Sequence, residues 1–141
     1  LPINIESLVD IGSGGGLPGI PLAILRPEMQ VKLIERSSKK CLFLRAAAIH
    51  LELENLEVIN ESWSPEHLDQ PRPLAATSLG VGEYEGMAKE IWPHLHRADG
   101  LLLFISKDLA ERIARNVSCE TSTWQRLAKS DKTGIAWLRK N

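Results

Sequence analysis

Five of the ten glycines fall within eight consecutive residues, Gly12 to Gly19. The string reads Val9-Asp10-Ile11-Gly12-Ser13-Gly14-Gly15-Gly16-Leu17-Pro18-Gly19. Such a run is poor in helix or strand interiors, because glycine loses the most backbone entropy on ordering. Its use lies in positive φ and in letting backbone N–H groups approach a ligand with no Cβ in the way. Ahead of it, Ser7 to Ile11 is a short apolar run stopped by glycine, which reads as a buried strand. Behind it, Ile20 to Leu25 reads as a short helix. Pro18 and Pro21 fit only near its first turn, and Pro27 ends it. Strand, glycine loop and helix in that order place the loop at the carboxyl end of a strand, where open α/β sheets bind ligands.

The remainder repeats the alternation. Val31 to Glu35 and Leu56 to Asn60 read as strands on either side of a helix over Ser38 to Leu53. Leu42, Ala46, Ile49 and Leu53 recur at spacings of 4, 3 and 4, which supports the helix. Glu61 to Arg72, with Pro65 and Pro71, reads as loop with one helical turn. Leu74 to Leu79 is a weak fourth strand. Tyr84, Met87, Ala88, Ile91 and Leu95 share one helical face, and Gly100 to Ser106 is a strong fifth strand. Leu109 to Val117 reads as helix. Thr121 to Leu127 and Ile135 to Leu138 flank the turn cluster Ser130 to Gly134, which predicts a terminal hairpin. The expected fold is α/β: a mostly parallel sheet with helices on both faces and a C-terminal antiparallel hairpin, in one domain over residues 1–141.

Composition narrows the function. The chain has 17 basic and 18 acidic residues and a net charge of -1, so nucleic-acid contact would need a local patch. Two cysteines, Cys41 and Cys119, without a CxxC pair argue for a reducing, cytoplasmic setting and against a cysteine-bound zinc. His50, His67, His94 and His96 lack metal-ligand spacing, so no metal is expected. The longest apolar run, Leu101 to Ile105, is too short to cross a bilayer. The first residue is Leu1 rather than Met, as expected of a partial or processed chain.

The glycine string excludes some ligands. A phosphate-binding P-loop needs Gly-Lys-Ser/Thr at its end, and this loop ends Leu-Pro-Gly. The dinucleotide pattern GxGxxG fails when counted from Gly12, and fits Gly14, Gly16 and Gly19 only two residues late. What remains is an acid followed by alternate glycines: Asp10, Gly12, Gly14 and Gly16. The second strand ends in Glu35, a carboxylate placed to accept both hydroxyls of a ribose beside the loop. Ribose recognition alone does not separate NAD from an adenosyl cofactor. The acid in the first strand and the glycine offset favour S-adenosylmethionine. A loop that is only a tight turn is the alternative reading.

The run from Val9 through Gly19-Ile20-Pro21-Leu22-Ala23-Ile24 resembles the bacterial 16S ribosomal RNA guanine-N7 methyltransferases, also called glucose-inhibited division protein B. Arg26-Pro27, Lys39-Lys40, Phe43-Leu44 and Leu53-Glu54-Asn55 follow in family order and spacing. The resemblance is strong over residues 8 to 60. It implies a Rossmann-like class I methyltransferase using S-adenosylmethionine, acting on ribosomal RNA or the small subunit. It places Asp10 and the loop Gly12, Ser13, Gly14 and Gly16 along the methionine and ribose. Glu35, followed by Arg36, would take the ribose hydroxyls, and Ser62 and Trp63 fall in the adenine segment. The departures are specific. Ser62 and Leu79 stand where the family carries arginines, Lys107 is followed by Asp108 instead of glycine, and the family's helices ahead of the loop have no counterpart.

The alignment of a methyl donor needs no catalytic triad, and guanine N7 has no proton to remove, so the lack of an acid–base pair is expected. No catalytic residue is marked. Lys107, at a strand's carboxyl end, is the single candidate. Neither cysteine has the Pro-Cys context of a carbon-5 methylase, and no Asn/Asp-Pro-Pro-aromatic segment marks an amino-group methylase. Lys39, Lys40 and Arg45, and Arg126, Lys129, Lys132, Arg139 and Lys140 near the hairpin, are two candidate RNA-facing clusters. Trp63 is a candidate for packing on the cofactor ring or in the core. Trp92, Trp124 and Trp137 are expected in the core or at its edge. An inactive cofactor-binding relative and an NAD-dependent oxidoreductase are the alternative functions.

Overall fold

The computed structural model describes residues 1–80 and 82–141. Seven strands form one sheet: β1 (Ser7–Ile11), β2 (Gln30–Ile34), β3 (Leu56–Ile59), β4 (Leu74–Ser78), β5 (Gly100–Ile105), β6 (Thr121–Arg126) and β7 (Gly134–Arg139). Their order is β3-β2-β1-β4-β5-β7-β6. The first five run parallel, while β7 is antiparallel to both β5 and β6. The order reverses between β1 and β4, so the loop after β1 opens at the switch point of the sheet.

The helices are α1 (Gly19–Leu25), α2 (Ser38–His50), α3 (Tyr84–Ile91) and α4 (Lys107–Asn116). A short 3-10 turn at Pro65–Leu68 stands where a crossover helix would follow β3. The two faces of the sheet bury different side chains. One core joins Val9, Ile34, Ala76, Leu101, Leu103 and Leu138 to α3 and α4. The other joins Leu8, Val31, Leu33, Ala75 and Leu102 to α1 and α2. The alternation along β1, Leu8 to one core and Val9 to the other, is the two-residue period of a strand buried on both faces.

Strand positions match the sequence reading, with no end moved by more than one residue. Helix α4 begins at Lys107, earlier than the expected Leu109, because the Ser106 side chain caps it by accepting the Leu109 N–H at 3.3 Å. Helix α2 ends at His50, short of Leu53, where Glu52 turns to φ 54°.

The apolar residues of α2 at the 4, 3, 4 spacing are not the ones that meet the sheet. Leu42 is 68% exposed and Ile49 79%, and Ala46 also faces solvent. The helix packs on the sheet through Cys41 and Leu44, both fully buried. This helix is apolar around most of its circumference, so period alone offers two stripes. The sheet takes the one that starts with the smaller Cys41, whose Sγ donates to the Glu35 carbonyl at 3.2 Å.

Candidate functional site

The site grows from the carboxyl ends of β1, β2 and β3. The loop leaves β1 with Gly12, Gly14 and Gly16 at φ 68°, 54° and 87°, a region closed to most side chains. These glycines do different work. A Cβ on Gly14 would meet nothing nearer than the Gly12 carbonyl at 3.9 Å, so its outer side is open. A Cβ on Gly16 would lie 2.9 Å from Ile20 Cγ1 and 3.1 Å from a Leu44 methyl. On Gly19 it would lie 2.8 Å from Asp10 Oδ2. Gly16 and Gly19 are therefore demanded by packing, and Gly14 by backbone conformation with open space beside it.

Asp10 is completely buried beneath the loop. Its Oδ2 accepts the Gly19 N–H at 3.0 Å, which pins the start of α1, and its backbone carbonyl accepts from Ser13 Oγ at 2.9 Å. Oδ1 has no partner. Burial pushes the carboxyl up to about 8, and the Glu35 charge adds to this, while hydrogen bonds from Gly19 and Ser13 oppose it. At neutral pH the side chain is mainly the neutral acid.

Glu35 follows β2 and is only 6% exposed. Its Oε2 accepts the Gly14 N–H at 2.9 Å and its Oε1 the Ser37 N–H at 3.0 Å. Burial alone would raise its pKa. The two backbone donors, with the charges of Lys40 and Arg36, outweigh burial and hold it below the usual carboxylate range. Two carboxylates thus sit near one loop in opposite states, Asp10 neutral and Glu35 charged. Each Glu35 oxygen keeps a lone pair beyond its backbone donor.

A cleft of about 350 Å³ opens here, lined by Ile11, Gly12, Ile34, Glu35, Arg36 and Lys40, with Glu61, Ser62 and Trp63 across it. Of the nine sequence-derived binding residues, Gly12, Glu35, Arg36, Ser62 and Trp63 lie on this lining. Gly14 reaches it through its bond to Glu35, whereas Asp10, Ser13 and Gly16 are buried behind it. Lys107 does not join them. It is exposed at the start of α4, two strands from β1, with Glu111 3.9 Å away. Ile11, Ile34, Lys40 and Glu61 were missed. Their signal was position, since each stands at a strand end or helix start bordering the loop.

Of the two roles expected for Trp63, core packing is the one seen, and its ring also borders the cleft. Its Nε1 donates to Glu90 at 2.7 Å. The segment is braced by His67, whose Nδ1 accepts the Ser64 N–H at 3.1 Å and whose Nε2 donates to Glu61 at 2.8 Å. Trp92 and Trp137 are buried, and Trp124 is half-buried at the edge. The hairpin cluster of basic residues is divided by register. Arg126 pairs with Gly134 beside Ile105, at the cleft end, whereas Arg139 pairs with Thr121 and Gly100 at the far end.

The donor set suits an adenosyl ligand. It offers an anionic acceptor pair for vicinal hydroxyls, an open glycine backbone, and an indole beside apolar strand ends. Together with the 3-2-1-4-5-7-6 sheet and its antiparallel β7, it defines a class I methyltransferase fold. Comparison with known proteins agrees. A precorrin-6y C5,15-methyltransferase from Geobacter metallireducens superposes with a TM-score of 0.71 at 19% identity, over 97% of this chain and 81% of that one. An rRNA methylase from Streptococcus thermophilus gives 0.61 at 18%, over 98% and 89%. Likeness at this level speaks to the fold.

The family is given by sequence. Residues 3–133 match the family GidB, rRNA small subunit methyltransferase G, and the chain belongs to it. The ribosomal RNA small subunit methyltransferase G of Xanthomonas oryzae is 43% identical over 97 residues, 68% of this chain and 44% of that protein. Its namesake in a Roseiflexus species is 38% identical over 116 residues, 78% and 48%. In Hydrogenovibrio crunogenus the match is 54% over 69 residues, 47% and 32%. The chain spans 32–48% of the length of these relatives.

Proposed function

We propose that the chain is the cofactor-binding unit of an S-adenosylmethionine-dependent methyltransferase whose acceptor is small-subunit ribosomal RNA, at guanine N7, in the cytoplasm. The observation that carries the reading is Glu35: a charged, nearly buried carboxylate, hydrogen-bonded to the glycine loop and facing a cleft closed by Trp63. A vicinal diol satisfies the free lone pairs of such a carboxylate, and a phosphate would be repelled by it. The bound cofactor would supply an activated methyl group. The chain's own residues hold and orient: Glu35 the ribose, the Gly12–Gly14 backbone the chain leading to the sulfur, Ser62 and Trp63 the base. Orientation of this kind is what the reaction needs from its enzyme.

No helix among the described residues is long and apolar enough to cross a membrane. A second reading, a relative that binds the cofactor without methylating RNA, draws on Ser62 and Leu79 in place of two family arginines. Thermal shift separates the ligand classes. S-adenosylhomocysteine should raise the melting temperature and NAD should leave it unchanged. The reverse preference would replace the methyltransferase reading with an oxidoreductase.

A further inference from the structure

The hairpin turn between β6 and β7 carries Arg126, Lys129 and Lys132, all exposed. We propose that this turn, with Lys107 beside it, is a docking surface for the phosphate backbone of single-stranded RNA on the acceptor side of the cleft. The inference rests on the RNA-methyltransferase reading and adds the surface that reading lacks.

Register fixes the location. Arg126 and Gly134 stand opposite each other, and Gly134 pairs with Ile105 at the carboxyl end of β5. The turn thus shares one end of the sheet with the glycine loop and Glu35. Between them lie β4 and β5, which puts the turn roughly 17 Å from the loop at about 4.8 Å per strand. Charge is the second observation. Among the described residues, Arg126, Lys129 and Lys132 are in no ion pair, and neither are Arg97 and Arg139 at the opposite end, while Lys107 stands 3.9 Å from Glu111. Asp131 is the turn's own acid, and Asp108 and Glu111 lie on α4 near Lys107. Four cations against these three acids leave this end of the hairpin net positive by one in a chain of net charge -1, on the end of the sheet where the cleft opens.

The turn is also a fixed platform. Leu127 N–H donates to the Thr133 carbonyl, Ser130 N–H to the Leu127 carbonyl, and Thr133 N–H to Ser130 Oγ. Toward the turn, the neighbouring strand exposes Thr123 and Gln125, which are donors suited to phosphate and sugar oxygens. None of the exposed large apolar side chains lies on this hairpin among the described residues. That favours a polyanion over a lipid surface or an apolar protein face.

The test is fluorescence anisotropy of the full chain with a labelled single-stranded RNA over a salt series. R126Q/K129Q/K132Q should bind roughly tenfold more weakly, and its log–log salt slope should flatten by about 2, at ~0.7 per lost contact. R97Q/R139Q, equally exposed at the opposite end of the sheet, should bind like wild type. K129Q/K132Q confines the change to the turn and covers any misfolding from Arg126. Equal loss in the opposite-end variant, full affinity in the turn variants, or no binding by wild type would each overturn the proposal. S-adenosylhomocysteine affinity is read in the same samples. Its absence, with turn-dependent RNA binding intact, would count against the cofactor reading alone.

Discussion

Single residues in this chain divide cleanly between holding the fold and meeting a ligand. Asn55 holds the fold. It is buried, and its Nδ2 lies 2.9–3.1 Å from the carbonyls of Ala23, Arg26 and Met29, closing the end of α1. Asn55→Ala leaves those carbonyls short of a donor, and should cost about 1–3 kcal/mol in urea melts without altering ligand affinity. Asp10 makes stability depend on pH. Its carboxyl is raised to about 8 in the fold from 3.8. Below the lower value both states carry the proton and stability is complete. Between them the unfolded chain releases its proton while the fold keeps it, so stability falls as pH rises, by up to ~1.4 kcal/mol per unit. Melting temperature should therefore decline from pH 5 to 8 more steeply in wild type than in Asp10→Asn; parallel curves would show that Asp10 is ionised. Gly14→Val tests the open side of the loop. With φ at 54° it costs ~1–3 kcal/mol of strain, yet a Cβ there has no protein atom nearer than 3.9 Å. A folded variant that no longer takes up S-adenosylhomocysteine is expected, and undiminished uptake would reduce the loop to a turn. The sequence made Asp10, the glycines and Glu35 visible because their spacing follows from strand ends. It hid the raised pKa of Asp10, which comes from complete burial in the folded sheet.

At the level of elements, the alternation of strands and helices was readable because each strand of the parallel sheet is a short apolar run bounded by glycine, proline or polar residues. Helix α2 shows what period alone leaves open. Leu42, Ala46 and Ile49 satisfy helical period as well as Cys41, Leu44 and Ala48 do, and only the geometry of the sheet selects between them. Leu44→Ala should destabilise by about 2–5 kcal/mol, the scale for truncating a buried leucine. Leu42→Ala and Ile49→Ala should stay within about 0.5 kcal/mol. Chemical denaturation of the three variants decides which stripe faces the core. The segment after β3 was read correctly as loop with a turn. Its bracing by His67 and Glu90 was not readable, because those partners lie 3 and 27 residues from the groups they hold.

For the whole molecule, the fold and one wall of the site were legible, and the acceptor side was not. Phosphate contacts are long flexible cations with no fixed spacing, and only strand register separated Arg126 from Arg139. The net charge of -1, with Ser62 and Leu79 where the family has arginines, predicts weak methyl transfer by residues 1–141 to undermethylated 30S subunits. Robust labelling of guanine N7 by this chain would show those positions to be dispensable. The central claim is that a charged Glu35 at the glycine loop grips an adenosyl ligand, and titration calorimetry with S-adenosylhomocysteine tests it most directly. Wild type should bind, and Glu35→Ala, verified as folded, should lose roughly 1.5–3 kcal/mol, the value of hydrogen bonds to a charged group. Equal affinity in the two proteins would contradict the account.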